Sequence, residues 1–366
     1  IHQIYHLAPI AMELGKTRNN PKIQLISCHS QHTSILKNIQ KLYPGTNVEI
    51  ITLPLPFRFR FLNFKKKAYP SPHDTMRFAK KYMKDAVAVV STSHITPRLC
   101  RKLKITKPKF IYQYHGCGDR KYGFDPKFKE YDFMLLPGKY HQKRLIDENI
   151  MTPEKTKIIG WPKLDIPIQT QKIKNKIFSK NLPTVLYAPH WKPELTSYKI
   201  WGEKILRFFS NQRDFNLIFA PHIQLKHWQF AYKYKTDYEN YRSENIHIDF
   251  GSEYSVNGTY LKIADIYIGD VSSIVYEWIA LKPRPCVFLN AHGVNWKNNV
   301  NYRFWDYGPV VEKIENLENK IKEAVHSQNY LELQRKRIKE YMELTEESSS
   351  KRAAKAILEF LGKRKV

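Results

Sequence analysis

Ile263-Ala-Asp-Ile-Tyr-Ile-Gly-Asp-Val-Ser-Ser-Ile-Val-Tyr-Glu-Trp-Ile-Ala-Leu-Lys-Pro-Arg-Pro-Cys-Val-Phe-Leu-Asn290 is the stretch whose reading decides the fold. It reads as strand, tight turn, helix, break and strand. Ala264 to Ile268 is short, apolar and partly β-branched, the pattern of a parallel strand covered on both faces. Gly269 permits the sharp turn, and Asp270, Ser272 and Ser273 stand where a helix begins. Ile274, Val275, Trp278, Ile279 and Leu281 give that helix an apolar face. Lys282-Pro283-Arg284-Pro285 stops it, and Cys286 to Leu289 is the next strand.

A helix that starts beyond the carboxyl end of a parallel strand is an anion site in the making. Its first amide N–H groups lack intrahelical partners, and the macrodipole adds partial positive charge. The hydroxyls of Ser272 and Ser273 can donate to phosphate oxygens there. Asp270 or Ser272 would serve equally well as a plain helix cap.

Working outward, the same alternation recurs. Strands are expected at Ile23 to Ser27, Val48 to Leu53, Ala86 to Ser91, Lys109 to Tyr114, Tyr131 to Leu135 and Thr156 to Ile159. Helices are expected at Thr33 to Leu42 and Thr75 to Met83. The opening, Ile1 to Gly15, reads as a helix, and a Rossmann-like domain would place a strand upstream of it. After a polar, lysine-rich stretch the pattern resumes with strands at Thr184 to Tyr187, Asn216 to Phe219 and Ile246 to Asp249, and a helix at Ile200 to Phe209. Ile314 to Leu361 reads as helical. Strand–helix alternation on this scale predicts an α/β protein with parallel sheets. We expect a first Rossmann-like domain over 1–168, a linker over 169–182, a second Rossmann-like domain over 183–345 and a final helix, 346–366, returning to the first. Two such domains facing each other across a cleft form the GT-B architecture.

The 366 residues carry 61 Lys and Arg against 34 Asp and Glu, a formal net charge of +27. Such an excess points to an anionic partner: a membrane surface, a nucleic acid or a phosphorylated substrate. The cysteines at 28, 100, 117 and 286 form no Cys-x-x-Cys pair, which argues against a zinc site or a disulfide framework and for a reducing compartment. No recognisable nucleic-acid motif is present and the basic residues are not gathered in one block, so a nucleic-acid partner is not expected.

Ligands of open α/β sheets bind beyond the carboxyl ends of the strands. His115, His190, His222 and Asp270 all follow an expected strand directly or within a few residues. A neutral imidazole there can take a proton from a hydroxyl.

Several motifs, in order, resemble the CDP-glycerol:poly(glycerophosphate) glycerophosphotransferases, the teichoic-acid-type primases and polymerases. They are Tyr114-His115-Gly116, Gly160-Trp161-Pro162-Lys163-Leu164-Asp165, Leu186-Tyr187-Ala188-Pro189-His190-Trp191-Lys192, Pro221-His222, and Asp270-x-Ser272-Ser273 with its helix and Lys-Pro-x-Pro. The similarity spans roughly 110–290 and implies the GT-B fold. It also implies a reaction that needs no metal or cofactor. A hydroxyl of a lipid-linked or polysaccharide acceptor attacks the β-phosphorus of a CDP-alditol, CDP-glycerol first of all, and CMP leaves. By resemblance, His115 is the general base and His222 a phosphate contact. Asp270, Ser272, Ser273 and the helix amides cradle the pyrophosphate, with Gly116 and Trp191 also against the substrate. Lys192 replaces an Arg of the family and would add a point charge rather than a fork. Glu277 would reach the ribose hydroxyls. Three departures bear on the acceptor and the alditol: Cys117-Gly118-Asp119-Arg120 follows His115-Gly116 where the family has Thr-Pro-Leu-Lys, Ile223 follows His222 where the family has Pro, and His190 precedes Trp191 where the family has Thr. CDP-ribitol is an alternative donor, and a GT-B glycosyltransferase or nucleotide-sugar epimerase is the alternative enzyme. The expected location is the cytoplasmic face of the cell membrane, held peripherally.

The charge far exceeds what a nucleotide requires. Phe57-Arg-Phe-Arg-Phe-Leu-Asn-Phe-Lys-Lys-Lys67 combines cations with rings suited to a lipid interface, and each cation near an anionic leaflet contributes about 1 kcal/mol. The protein should therefore bind anionic vesicles less tightly as salt rises. Changing Arg58, Arg60, Lys65, Lys66 and Lys67 to Gln should reduce vesicle binding and activity on a lipid-linked acceptor while sparing a short soluble one. Equal loss on both acceptors would remove the membrane role.

Overall fold

The computed structural model describes residues 3–16, 22–54, 71–118, 121–225 and 238–362. The chain forms two compact units. One holds Ile1–His115, Phe124–Pro167 and Glu340–Val366, and the other holds Gly116–Gly123 and Ile168–Lys339. Strand pairing within each sheet is parallel, as the two-sided apolar strands require. The basic aromatic run at 57–67 lies outside the described residues.

In the first unit β1 (Ile23–Ser27) pairs with β2 (Val48–Thr52). β3 (Ala88–Ser91), β4 (Lys109–Gln113), β5 (Phe133–Leu136) and β6 (Thr156–Ile158) form a sheet in the order β3-β4-β5-β6. Ile111, Leu135 and Ile159 are fully buried and meet Ile10 and Leu14 of the helix Ile4–Gly15. The same core takes Ala353, Ala354, Ala356 and Ile357 from the helix Ser349–Phe360, whose small side chains let it lie close. Polar contacts fix its start. Asp165 Oδ2 accepts from the Ser350 amide at 2.6 Å and its hydroxyl at 2.7 Å, and Ser349 Oγ accepts from the Trp161 amide at 2.9 Å. At Gly160, where φ is +83°, a Cβ would overlap the Glu343 carbonyl and the Ser349 hydroxyl. The stretch Gly160 to Asp165, one of the motifs noted above, therefore serves here as a clasp for the C-terminal helix.

In the second unit β7 (Thr184–Ala188), β8 (Asn216–Phe219), β9 (Ile246–Ile248), β10 (Ile266–Gly269), β11 (Cys286–Leu289) and β12 (Val310–Val311) build one sheet. Its order is β12-β11-β10-β7-β8-β9. The stretch 169–182, expected as a linker, contains the helix Thr170–Ile177, whose Lys174 Nζ lies 3.2 Å from Asp265 Oδ2. The charged tail divides into Leu317–His326, Gln328–Tyr341 and Ser349–Phe360. The helices Thr96–Lys102 and Lys139–Asp147 were not expected from sequence.

The chain runs outward from β7 to β8 and β9 on one side, and from β10 to β11 and β12 on the other. Its direction of progress therefore reverses between β7 and β10, which are neighbours with Gly269 opposite Ala188. One side chain ties the ends of these strands together. Asp270 is fully buried, and its Oδ2 accepts from the amides of His190 at 2.8 Å and Ser197 at 3.0 Å. Its Oδ1 is buried with no hydrogen-bond partner among the described residues. Burial raises this carboxyl to about 7, against the partial opposition of those same amides.

Asp270→Ala should strand two amide donors, each costing about 1–3 kcal/mol, and lower the unfolding midpoint measurably. Asp270→Asn keeps one acceptor oxygen and should retain most of that stability. Because the folded-state carboxyl is raised above its unfolded value, its contribution is fully present below the unfolded range and is lost as pH rises through about 7. Denaturant titrations should accordingly show stability falling between about pH 4 and 8, and a flatter profile in Asp270→Asn. Identical profiles would contradict the brace.

Candidate active site

The reversal between β7 and β10 is the position at which open α/β sheets bind ligands, outside the carboxyl ends of the strands. β7 delivers Pro189, His190 and Trp191 there, β10 delivers Asp270 to Ser273, and β8, next to β7, delivers Pro221 and His222. Gly269 is required at the end of β10 because a Cβ would overlap the phenol of Tyr267, a fully buried side chain.

Three rings gather at this edge. His190 and Trp191 stack with centroids 5.8 Å apart, and His222 lies 6.3 Å from each. The backbone fixes two of them. His190 Nδ1 accepts from the Lys192 amide at 3.1 Å, and His222 Nδ1 accepts from the Gln224 amide at 3.2 Å. An accepting Nδ1 puts the proton of a neutral imidazole on Nε2. Burial pushes His222 down to about 4, so its ring is neutral at physiological pH and presents a hydrogen-bond donor. His190 was noted in the sequence for its place after a strand and as a departure from the family motif, without a role of its own. Its part in this trio comes from the packing of the loop, which residue spacing does not reveal.

The helix Ile274–Leu281 begins beside them. Ser272 and Ser273 are both half-buried. Ser273 occupies the cap position yet makes no side-chain cap hydrogen bond, and Ser272 Oγ accepts only a long 3.4 Å contact from the Ile274 amide. The simple capping role considered for Asp270 is not found, because its carboxylate is turned to His190 and Ser197. Asp270, fully buried, thereby braces the two loops. Glu277, expected at the ribose, is only 7% exposed within the helix and offers little surface to a sugar. Lys192 Nζ stands 5.6 Å from the Trp191 ring centroid and 4.0 Å from Glu194, and the side chain is partly exposed.

The segment after β4 also reaches this helix start. A Cβ built on Gly118 would lie 3.2 Å from the Ser273 Cβ, so the glycine allows a close approach. At Gly116 an added Cβ would meet nothing within 4 Å among the described residues, which leaves the backbone there open. Asp119 and Arg120 lie outside the described residues.

In the first unit His115 is the second residue past the end of β4 and is half-buried. Its Nδ1 lies 3.5 Å from the Tyr112 hydroxyl. Burial pushes it down to about 4, nearby His94 lowers it further, and a hydrogen bond with the Thr92 backbone works in the opposite direction. His94 sits in the loop after β3 and was not singled out in the sequence. Among the described residues no cluster of three or more His, Cys, Asp or Glu is arranged to hold a metal ion. No helix among them is long and apolar enough to cross a membrane.

The sequence profile of the CDP-glycerol:poly(glycerophosphate) glycerophosphotransferase family matches residues 72–359. Among solved structures the chain is similar to the wall teichoic acid polymerase TagF, with 16% identity, a TM-score of 0.62, and coverage of 99% of this chain and 93% of that one. A TagF variant soaked with CDPG gives 18% identity and a TM-score of 0.63, covering 99% and 92% of the two chains. S. aureus MnaA with UDP gives 12% identity and a TM-score of 0.62, covering 100% and 95%. No curated protein matches the chain. The structural likenesses establish the GT-B fold, while the family profile spans most of the chain and carries the activity. The chain therefore belongs to the CDP-glycerol:poly(glycerophosphate) glycerophosphotransferases, transferases that move glycerol phosphate from CDP-glycerol to a glycerophosphate polymer.

Proposed function

We propose that the second unit binds CDP-glycerol at the carboxyl ends of β7 and β10, with the diphosphate at the start of the helix Ile274–Leu281. The observation that supports this is the convergence of His190, Trp191, His222, Ser272 and Ser273 at the one place where the sheet reverses its connection order. The half-buried Ser272 and Ser273 hydroxyls and the helix dipole favour negative charge there. His222, neutral, donates to a phosphate oxygen, and Lys192 adds a positive point charge. The flat face of Trp191 suits the cytosine ring.

His115 is the general base in this reading. It takes the proton of the acceptor hydroxyl as that oxygen attacks the β-phosphorus, and CMP departs with the electrons of the broken P–O bond. Such phosphoryl transfers depend on positioning and charge neutralisation, with little covalent work for the protein. We further propose that the polymer acceptor is lipid-linked and that the enzyme meets it peripherally at the cytoplasmic membrane face. The net charge of +27 supports this, and no chain segment is needed to span the bilayer.

The full chain, given CDP-glycerol and a glycerol-phosphate oligomer, should release CMP and extend the oligomer by mass. UDP release from UDP-GlcNAc, with no CMP from CDP-glycerol, would favour the epimerase or glycosyltransferase alternative.

His115→Ala should lower turnover by roughly 100- to 10,000-fold while leaving CDP-glycerol affinity near normal. His222→Ala, and Ser272→Ala with Ser273→Ala, should instead weaken donor binding measured by calorimetry. Because His115 must be neutral to act and is held down to about 4, the wild-type rate should not depend on its ionisation near pH 7. It should fall as pH drops through about 4. Near-normal turnover of His115→Ala would remove the base assignment.

A further inference from the structure

We propose that His292 is a positioning residue for the donor. Through its hydrogen bond to the Thr196 carbonyl it holds the loop after β11 against the loop after β7, and so fixes the gap in which the diphosphate sits. This rests on the reading of the start of the helix Ile274–Leu281 as the donor site.

The turn that carries His292 is held independently of β7. Asn290 follows β11 and is only 3% exposed. Its Oδ1 accepts from the Val294 amide at 2.8 Å, and its Nδ2 donates to the Val294 carbonyl at 3.0 Å and to Glu312 Oε2 at 2.7 Å. The Gly293 amide returns to the Asn290 carbonyl at 3.2 Å. Gly293 has φ +62°, a left-handed conformation that glycine adopts without steric cost. Glu312, the residue after β12, also accepts from the Trp296 indole N–H at 3.1 Å. Asn290 thus closes the turn Asn290–Val294, and His292 stands exposed at its middle.

That ring makes a contact across the sheet. β10 lies between β11 and β7, so the loops that leave β11 and β7 start about 10 Å apart, two strand spacings. His292 Nε2 lies 3.0 Å from the Thr196 carbonyl and closes this gap. A carbonyl only accepts, so Nε2 carries the proton. The next residue, Ser197, donates its amide to Asp270 Oδ2 at 3.0 Å. Thr196 and Ser197 are therefore tied on one side to the β11 loop and on the other to the turn after β10. Asp270 makes its link from full burial and His292 makes its link at the surface. In the sheet order, the Asp270–Ser273 turn lies between the two loops that His292 joins.

A gap set before the ligand arrives presents Ser272, Ser273 and the helix amides already in place. If the gap is loose, binding must first order the loops, and that entropy is subtracted from affinity. Loss of the tether should therefore appear in donor binding. The bond-breaking step, carried by His115 in the first unit, should be spared, which is a rise in KM with kcat retained.

The test uses the full chain with CDP-glycerol and a glycerol-phosphate oligomer, comparing wild type, His292→Ala and His292→Gln. His292→Ala should raise the KM for CDP-glycerol, and its calorimetric Kd, roughly three- to tenfold, the loss expected of one hydrogen bond. The kcat, the KM for the oligomer and the unfolding midpoint should stay near wild type. His292→Gln keeps an N–H that can reach the Thr196 carbonyl, and should restore most of the donor affinity. Unchanged donor affinity in His292→Ala, a loss confined to kcat, or a loss that Gln does not restore would overturn the proposal. Ser272→Ala with Ser273→Ala separates the two possible failures. Donor binding weakened there but intact in His292→Ala removes only the role of His292. Donor binding intact in both removes the donor site at this helix.

Discussion

The second unit depends on one buried carboxylate spanning a discontinuity in its sheet. Parallel sheets whose connections diverge in two directions leave adjacent loops with no chain connection holding them together. Here Asp270 supplies that link, taking amides from both ends of the loop after β7. The arrangement costs desolvation of an acid, seen in its rise to about 7. In return the His190–Trp191 loop is set at a fixed distance from the helix that follows β10. A residue that stands out in the sequence at a helix start thus ties two loops together from a buried position.

The fold was legible because periodicity and turn chemistry agreed along most of the chain. β1, β8 and β11 occupy the residues expected from apolar runs and their flanking breaks. Elements that did not announce themselves are those whose stability comes from tertiary contacts. The helix Lys139–Asp147 is polar over most of its surface but buries His141 and Leu145. The helix Thr170–Ile177 has a composition that reads as a linker, yet it docks through Lys174. Trp191, His222, Ser272 and Ser273 in the second unit, and His115 in the first, stood out in the sequence because each follows a strand within a resembling motif. His190 was not assigned a role, since its relevance comes from loop packing. Asp270 and Glu277 are both buried. Burial, the property that separates a brace from a contact, is not written in local sequence.

Desolvation is the common influence on the histidines of both units. It holds His115 and His222 down to about 4, so neither carries charge near neutral pH. For His222 that means a ring that can donate a hydrogen bond without carrying a full positive charge. For His115 it means a ring always ready to accept a proton, at the expense of basicity. The net charge of the protein, large as it is, does not reside in these rings but in its lysines and arginines.

The clasp at Gly160 to Asp165 has a consequence for synthesis. The Trp161 amide and its acceptor Ser349 are separated by 188 residues, and the intervening chain includes an entire second core. At about 5–20 residues per second, a ribosome needs roughly 10–40 s to supply the missing helix. During that interval Ile111, Leu135 and Ile159 present an apolar face that Ala353, Ala354, Ala356 and Ile357 will later cover. The second core can close while the first is still open, which reverses the usual order in which amino-terminal domains fold first. Until then the nascent first unit is a natural client for chaperones that shield exposed apolar surface.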